Sequence, residues 1–248
     1  MSPRRIAIFS DVHGNLPALD AVLRDIAVAG IAGRNVYCLG DLVGYGPDPA
    51  GVVARVRDAG IRTVRGNYDD GVGRRRGQCG CYYNTEQAKL DGAASYEFTD
   101  AALSARDHKW LADLPDEVRF EVGDVRVMLV HGSPRKINEY LLPDREDEFL
   151  ARLADVAKAD VVCVGHVHMP YHRVVHGADG RAIDYVSVPS VGKPKDGDPR
   201  AGWTELYLGE DGEVEPTVHR VEYDVEAVVA AMAAAGLPAT LGEALKRA

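Results

Sequence analysis

Short apolar segments alternate with helical segments through the first two thirds of the chain, and this alternation constrains the fold more than any other feature. The runs RRIAIFS, NVYCLG and RTVRGN are typical of strands, and LPALDAVLRDIAVAG and PAGVVARVRDAG lie between them. In the first helical segment, apolar residues recur at helical spacing, and Gly30 supplies a stop signal. Such an alternation predicts an α/β layered fold.

The rest of the chain first extends this pattern and then changes it. A helical stretch over 85–114 precedes VRVMLVHGS and ADVVCVGHVH, two buried strands separated by the helix EDEFLARLADVAKA. From Tyr171 onward, YHRVVH, RAIDYVSV, WTELYLG and TVHRVEYD alternate in polarity between Gly- and Asp-rich turns, which predicts an antiparallel sheet. The helix VEAVVAAMAAAG follows. Since no repeat or linker interrupts the sequence, we expect residues 1–248 to form a single domain.

Composition and charge restrict where the protein acts and what it binds. No apolar run approaches the roughly 20 residues of a membrane span, so we expect no membrane association. The apolar part of the N-terminus is only about five residues long, which favours a first strand over a signal peptide and hence a cytoplasmic protein. A net charge of −9 makes nucleic-acid binding an unfavoured function, but it is compatible with a small phosphorylated substrate. The oligomeric state stays open.

The four cysteines do not suggest a disulfide framework. Cys38 and Cys163 lie in apolar runs and are expected to be buried free thiols. Cys79-Gly80-Cys81 could bind a metal or be redox-active, but no second pair lies nearby. We therefore expect ordinary thiols at these two positions.

Polar side chains of the kinds that bind metals follow five of the apolar strands. They are Asp11, His13, Asp41, Asn67, His131, His166 and His168. The carboxyl ends of strands in an α/β sheet converge on one edge, where ligands bind. Carboxylate, imidazole and amide groups suit divalent ions such as Mn²⁺, Fe²⁺ or Zn²⁺. A single histidine after a strand is usually a polar loop residue, whereas the seven residues in this order predict one metal site.

The ordered motifs resemble the signature of the calcineurin-like metallophosphoesterases. The family pattern DxH, GDxxx, GN-H-D/E, H and GHxH is matched by SDVHGN, LGDLVGYG, RGNYDD, VHGSP and GHVHMP, over residues 6–170. Further on, PSVGKPKDGDPRAGW resembles the small bacterial and archaeal phosphodiesterase-like branch. The resemblance implies a two-sheet β-sandwich flanked by helices, with two divalent metal ions at the sheet edge.

The resemblance also implies which residues hold the metals. The first metal would be held by Asp11, His13 and His168, the second by Asn67, His131 and His166, and Asp41 would bridge the two. Two such cations lower the pKa of a water held between them and aim it at phosphorus. We therefore expect hydrolysis by a metal-bound hydroxide, in which Asp41 fixes the metal spacing and Asn67 and His131 steady the phosphoryl group.

Tyr68 departs from the family's commoner pattern, which has a histidine near the leaving oxygen. A phenol has a reference pKa near 10 against about 6.5 for imidazole, so it is the poorer proton donor at neutral pH. Because this substitution removes a candidate general acid, the enzyme should favour activated esters, or diesters with an acidic departing group, over simple alkyl monoesters. Alternatively, Tyr68 packs beside the site and has no role in proton transfer.

The leading interpretation is a dinuclear metal-dependent phosphodiesterase. A phosphomonoesterase acting on proteins or nucleotides is the alternative within enzymes. A non-catalytic scaffold of the same fold, like the retromer subunit that lacks histidine ligands, is the alternative of another class, and the retained histidines argue against it. Further candidates for substrate contact are Arg74, Arg75, Arg76, Tyr82, Tyr83 and Arg135, each with an equally good or better structural explanation. Lys193 and Arg200 are candidates as well, because their loop has the Gly, Pro and charge density of a functional surface loop and resembles the phosphodiesterase-like branch.

Overall fold

Ten strands form two five-stranded sheets in this computed structural model, which describes residues 4–209 and 212–248. The first sheet has the order β10-β9-β1-β2-β3. Its strands are β1 (Arg4–Phe9), β2 (Val36–Cys38), β3 (Arg62–Thr63), β9 (Ala201–Leu208) and β10 (Val214–Val221). The second sheet has the order β4-β5-β6-β8-β7. Its strands are β4 (Glu117–Val122), β5 (Val125–Val130), β6 (Val161–Val164), β7 (Tyr171–His176) and β8 (Ala182–Ser187).

Eight α-helices of the described residues flank these sheets. They are α1 (Leu16–Val28), α2 (Pro49–Asp58), α3 (Asn67–Gly73), α4 (Glu86–Ala102), α5 (Ala105–Ala112), α6 (Asp147–Ala157), α7 (Val225–Ala234) and α8 (Ala239–Arg247). A short 3₁₀ turn, Gly33–Asn35, precedes β2. Asn15 and Asp48 cap α1 and α2, and a proline stands in the first turn of each helix, where its missing N–H costs nothing. No helix of the described chain combines the length and apolarity needed to cross a membrane.

Each sheet has three parallel strands with antiparallel strands beside them. In the first sheet β1, β2 and β3 are parallel, β9 runs antiparallel to β1, and β10 runs antiparallel to β9. In the second sheet β5, β6 and β8 are parallel, and β4 and β7 form antiparallel edges. A bridge between Ser10 and Ser190 joins the segments that follow β1 and β8. The carboxyl ends of the parallel strands therefore meet where the two sheets adjoin.

The core lies between the sheets and on their outer faces. Alternate residues of β1 point in opposite directions, so Ile6 and Ile8 join the core between the sheets, while Ala7 and Phe9 pack under the helices of the first sheet. Strand β6 behaves in the same way, and its outer face packs against α6. Burial of each large aliphatic side chain contributes about 1.5–3 kcal/mol. The predicted two-sheet sandwich flanked by helices is confirmed.

The expectation of one antiparallel sheet after Tyr171 is wrong. Strands β7 and β8 form a hairpin in the second sheet, whereas β9 and β10 form a hairpin in the first. The turn residues specify each hairpin locally, but the segment 188–200 crosses between the sheets. Strand β4 was absent from the sequence interpretation, although its alternating exposure is typical of an edge strand.

The cysteines agree with the sequence interpretation at two positions and contradict it at the other two. Cys38 and Cys163 are buried free thiols, as predicted. Cys79 and Cys81 form a disulfide, so the expectation of ordinary thiols there is wrong. The turn at Gly80 brings their Cα atoms to 5.4 Å, a normal separation for a disulfide.

Candidate metal centre

Seven polar side chains at the carboxyl ends of β1, β2, β3, β5 and β6 converge on one buried site. None is more than 3% exposed, and they are Asp11, His13, Asp41, Asn67, His131, His166 and His168. So many buried titratable groups are costly unless they share charges or bind a cation. Their convergence is therefore the feature that requires a functional explanation.

The first group joins residues that follow β1 and β6. Asp11, His13 and His168 each offer one ligand atom, and these atoms lie within 4.8 Å of one another. Nε2 of His168 is 3.1 Å from Oδ1 of Asp11 and 3.2 Å from Nε2 of His13. Three donors at this spacing can hold one divalent cation.

The second group lies beside the first. Asp41, His131 and His166 have ligand atoms within 4.8 Å of one another, and Oδ1 of Asn67 is 3.0 Å from Nε2 of His131. Oδ2 of Asp41 is 3.4 Å from Nε2 of His131 and 3.8 Å from Nε2 of His13. Asp41 thus lies between the two groups, where one carboxylate can serve both.

The loops that carry these ligands have an unusual backbone conformation. Residues other than glycine rarely adopt a positive φ. Five of the candidate ligands do so, namely Asp11, His13, Asp41, His166 and His168, with φ between 47° and 66°. Such strain persists only where the surrounding structure fixes it, and it is common at functional sites.

Backbone carbonyl groups orient three of the histidines. The Nδ1 atoms of His13, His131 and His168 lie 3.0, 2.7 and 2.5 Å from the carbonyl oxygens of Val43, Leu39 and Lys193, respectively. Each Nδ1–H can donate to its carbonyl, which directs Nε2 toward the group. This is the usual way in which a protein fixes the tautomer of a histidine that binds a metal.

Unpaired buried atoms test whether the groups fit metal ions. Among the described residues, Oδ1 of Asp11 and Nε2 of His166 are buried and have no hydrogen-bond partner. Buried polar atoms normally have partners, and those without one need an explanation such as a role in binding an ion. Both atoms belong to the two groups, so the donor set fits a pair of divalent cations.

The pKa values reflect burial and charge within the site. Burial lowers the pKa of His13 and of His166 to about 3, so both imidazoles are neutral and able to bind a metal. Burial would also lower the pKa of His131, but the charge of Asp41 raises it to about 9. Burial opposes ionisation of Asp11, yet the facing His168 holds its pKa well below the usual range.

Comparison with known proteins agrees with this geometry. A model of the calcineurin-like phosphoesterase superfamily domain matches residues 5–204. The chain is 32% identical to an uncharacterized protein of Methanocaldococcus jannaschii over 97% of this chain and 96% of the relative. The chain belongs to the calcineurin-like phosphoesterase superfamily.

Two solved structures show the same fold over the whole superfamily domain. A metallophosphoesterase from Sphaerobacter thermophilus is 33% identical with a TM-score of 0.73, and the match covers 98% of each chain. A hypothetical protein from Pyrococcus horikoshii OT3 is 21% identical with a TM-score of 0.79 over 97% of each chain. The predicted membership of this family is confirmed.

Asn67 and Asp69 connect the second group to the loops around it. Nδ2 of Asn67 donates to the carbonyl of Cys79 at 3.0 Å and contacts Sγ of Cys81 at 3.2 Å, which turns Oδ1 toward His131. Asp69 accepts from the backbone N–H groups of Leu42 and Gly66, both at 2.9 Å. The disulfide loop and Asp69 therefore fix the orientation of Asn67 and the loop of Asp41.

Tyr68, the departure from the family pattern, points away from solvent. Its side chain is 0% exposed, its ring lies 4.9 Å from that of Tyr45, and its hydroxyl has no hydrogen-bond partner among the described residues. Burial raises its pKa well above the ordinary value. Its backbone N–H donates to Oδ1 of Asp41 at 2.8 Å. This geometry favours the packing role over the proton-donor role.

Replacement of Tyr68 by phenylalanine tests this assignment. We expect kcat/KM to stay within about twofold of the wild type, because the lost hydroxyl has no partner, and stability to be unchanged or slightly higher. The measurement is kcat/KM over esters of graded leaving-group pKa, together with urea unfolding.

Tyr185→Phe is the matched control for stability. The Tyr185 hydroxyl donates to the carbonyl of Leu150 at 2.8 Å, so its loss should cost about 1 kcal/mol. A fall of 10²-fold or more in Tyr68→Phe, growing with leaving-group pKa, would instead identify Tyr68 as a proton donor.

Tyr140 is a site residue that the sequence did not reveal. Its ring centroid lies 4.0 Å from that of His166, and burial with the nearby carboxylates raises its pKa to about 12. Tyr140 is half-buried, so it covers one side of the second group. The surrounding sequence has no periodicity or motif that could have singled it out.

Most of the arginines considered as substrate contacts are engaged elsewhere. Arg135 forms a bidentate ion pair with Glu139, and Arg200 pairs with Asp198 at 2.7 Å. The cluster of Arg74, Arg75 and Arg76 pairs with Asp70 and Asp100. Tyr82 is 77% exposed, while the ring of Tyr83 packs against Gly92. The structure places none of these side chains in the two ligand groups.

Proposed function

We propose that this protein is a dinuclear metal-dependent phosphoesterase that hydrolyses phosphate diesters. The observation that carries the proposal is the pair of buried ligand groups with Asp41 between them and with unpaired atoms on Asp11 and His166. The first cation would be held by Asp11, His13, His168 and Asp41, and the second by Asn67, His131, His166 and Asp41. When bound, such a pair polarises the phosphate and lowers the pKa of a coordinated water.

Backbone carbonyl groups and the ring of Tyr140 hold the site in an arrangement that suits this chemistry. The carbonyl groups of Val43, Leu39 and Lys193 hold three imidazoles in place, so the donors need no reorganisation when the substrate binds. Tyr140 lies over His166 and limits access of bulk water from that side. Preorganised donors in a site of low water content stabilise developing charge more strongly than they would in water.

The buried position of Tyr68 supports a preference among esters. Residue 68 carries a phenol in place of an imidazole, and its hydroxyl is buried without a hydrogen-bond partner among the described residues, which supports the absence of a general acid for the leaving oxygen. General acid catalysis contributes roughly 10² to 10⁴ in rate, most of all for basic alkoxide leaving groups. Diesters with an acidic departing group are therefore the preferred class over simple alkyl monoesters.

A metal-reconstituted activity screen tests the proposed function. The protein is stripped of metal and reloaded with Mn²⁺, Fe²⁺ or Zn²⁺, and hydrolysis of aryl monoesters, aryl diesters and dinucleoside phosphates is compared. Higher kcat/KM on diesters would support the proposal, whereas a monoester preference would favour a phosphomonoesterase. Absence of bound metal together with absence of hydrolysis under every ion would support the scaffold alternative.

Metal binding is expected to depend on pH through His131. Its pKa of about 9 means that the metal-free protein carries a proton on this imidazole at neutral pH, which a metal ion must displace. The apparent affinity for Mn²⁺ should therefore rise about tenfold per pH unit up to about pH 9 and then level off. Competition with a fluorescent chelator at several pH values measures this slope.

The raised pKa of His131 also predicts how the stability of the metal-free protein changes with pH. Because folding raises the pKa of His131, its protonation stabilises the folded state fully below the unfolded pKa of about 6.5. This stabilisation is lost as the pH rises toward 9. The metal-free fold should lose this contribution across that window. An apparent metal affinity that does not change between pH 7 and 9 would contradict the charge state assigned to His131.

A further inference from the structure

The loop that follows β8 is fixed beside the first ligand group. The hydroxyl of Ser190 donates to the carbonyl of Asp11 at 2.8 Å, and the N–H of Gly192 donates to the same carbonyl at 3.0 Å. The N–H of Lys193 donates to the hydroxyl of Ser190 at 2.9 Å, and the carbonyl of Lys193 accepts from His168. This loop therefore has a defined position relative to the first group.

The charges of this loop are only partly balanced within it. The acidic residues of the loop form ion pairs with arginines: Asp196 pairs with Arg220, and Asp198 pairs with Arg200. Neither Lys193 nor Lys195 forms an ion pair with any residue in the described parts of the chain.

The side chain of Lys193 extends along the site. Its ammonium lies 4.4 Å from the ring centroid of Tyr45, whose ring lies 5.0 Å from that of His13. Burial and the charge of Lys195 lower the pKa of Lys193 to about 7, and the charge of Asp11 opposes this shift. The residue is half-buried, so the charge has lost part of its hydration, and an anion would restore that loss.

Lys195 contributes from a more open position. Its side chain is exposed, yet its charge interacts with those of Asp11 and Asp41. The two lysines thus lie in the same loop beside the site, one half-buried and one exposed. The ring of Tyr45, which contacts Lys193, also packs 4.9 Å from that of Tyr68, so Lys193 lies near the position at which this chain departs from the family pattern.

We propose that Lys193 binds an oxygen of the substrate's phosphate that the metal ions leave free, and that Lys195 adds long-range attraction at the entrance. This inference rests on the proposed function. A phosphate held by two cations still presents further oxygens, and an ammonium is a suitable point-charge partner for them. Lys193 is then a substrate-binding residue that the signature motifs do not include.

A structural role is the competing explanation, because Lys193 also lines a small cavity with Tyr45 and apolar residues of α7 and α8. Lys193→Met separates the two roles, since methionine keeps most of the apolar stem and removes the charge. Lys193→Arg keeps the charge. Lys109→Met is the control, because Lys109 is exposed on α5 and pairs with Asp113.

The test is calorimetric binding of inorganic phosphate to the Mn²⁺-loaded protein. We expect the dissociation constant to rise about 10- to 100-fold in Lys193→Met, to recover largely in Lys193→Arg and to stay unchanged in Lys109→Met. Lys195→Met should weaken binding only about two- to fivefold, and the effect should shrink as salt is added. Metal content, measured by mass spectrometry, should remain at the wild-type value in all four variants.

Two results would overturn the assignment. One is a phosphate affinity of Lys193→Met within twofold of the wild type. The other is loss of metal from that variant, since Lys193 would then act by supporting His168; if the variant does not fold, Lys193→Gln replaces it under the same criteria. Phosphate binding needs no turnover, so a protein that binds phosphate through Lys193 but hydrolyses no ester would contradict the proposed function alone.

Discussion

Asparagine at position 41 is expected to lower phosphoester hydrolysis by at least about 10³-fold while the protein stays folded. Oδ2 of Asp41 lies 3.8 Å from Nε2 of His13 and 3.4 Å from Nε2 of His131, so this one carboxylate faces both ligand groups. Asparagine has nearly the same shape but carries no negative charge to offset two adjacent cations. The bound metal should accordingly fall from two ions to one or none.

The measurement combines metal content with kcat/KM on an activated diester. Asp70→Asn is the matched control, because Asp70 lies on α3 near the same loop but pairs with Arg74 and Arg76 on the surface side. The control should keep both metals and nearly all activity. Two bound ions and wild-type turnover in Asp41→Asn would show that Asp41 does not hold the metal pair.

Alanine at position 40 is expected to lower the free energy of unfolding by more than about 3 kcal/mol. A Cβ on Gly40 would lie 2.3 Å from the backbone nitrogen of Gly66, and the φ of Gly40 is +89°, where side chains are strained. The loops of Asp41 and Asn67 are in backbone contact here. Neither loop can move away from the added Cβ without displacing a candidate metal ligand.

Urea unfolding and thermal melting in the presence of a chelator measure this effect on the fold itself. Gly60→Ala is the matched control, since Gly60 has a similar φ of +64° but nothing within 4 Å of the added Cβ. It should cost only about 1 kcal/mol. For a chain of this size, Gly40→Ala should lower Tm by at least about 6 °C, and equal shifts in the two variants would refute the close contact.

Much of the candidate site could be predicted because its residues occupy fixed places in local patterns. The seven polar residues each follow an apolar strand, and strand ends in an α/β sheet converge. The strands were visible because residues such as Ile6 and Ile8 face one core while Ala7 and Phe9 face another, which makes the whole run apolar. The order of motifs then indicated the family.

Other features had no local signal. Tyr140 lies in a segment without periodicity, and its contact with His166 arises only from the path of that loop. The lack of an acidic partner for Lys193 could not be inferred either, because the nearby Asp196 pairs instead with Arg220 on another strand. The division of the late strands between two sheets depended on a crossing segment whose direction the turn residues do not encode.

The sequence by itself determined the α/β character, the metal-type residues and their order, since these depend on periodicities and motifs a few residues long. Only the tertiary structure decided which residues share a group, because His13 and His168 are 155 positions apart. It also decided the surroundings of Tyr68, since its neighbours, Tyr45 and the backbone of Gly44, come from another loop and bury its side chain completely.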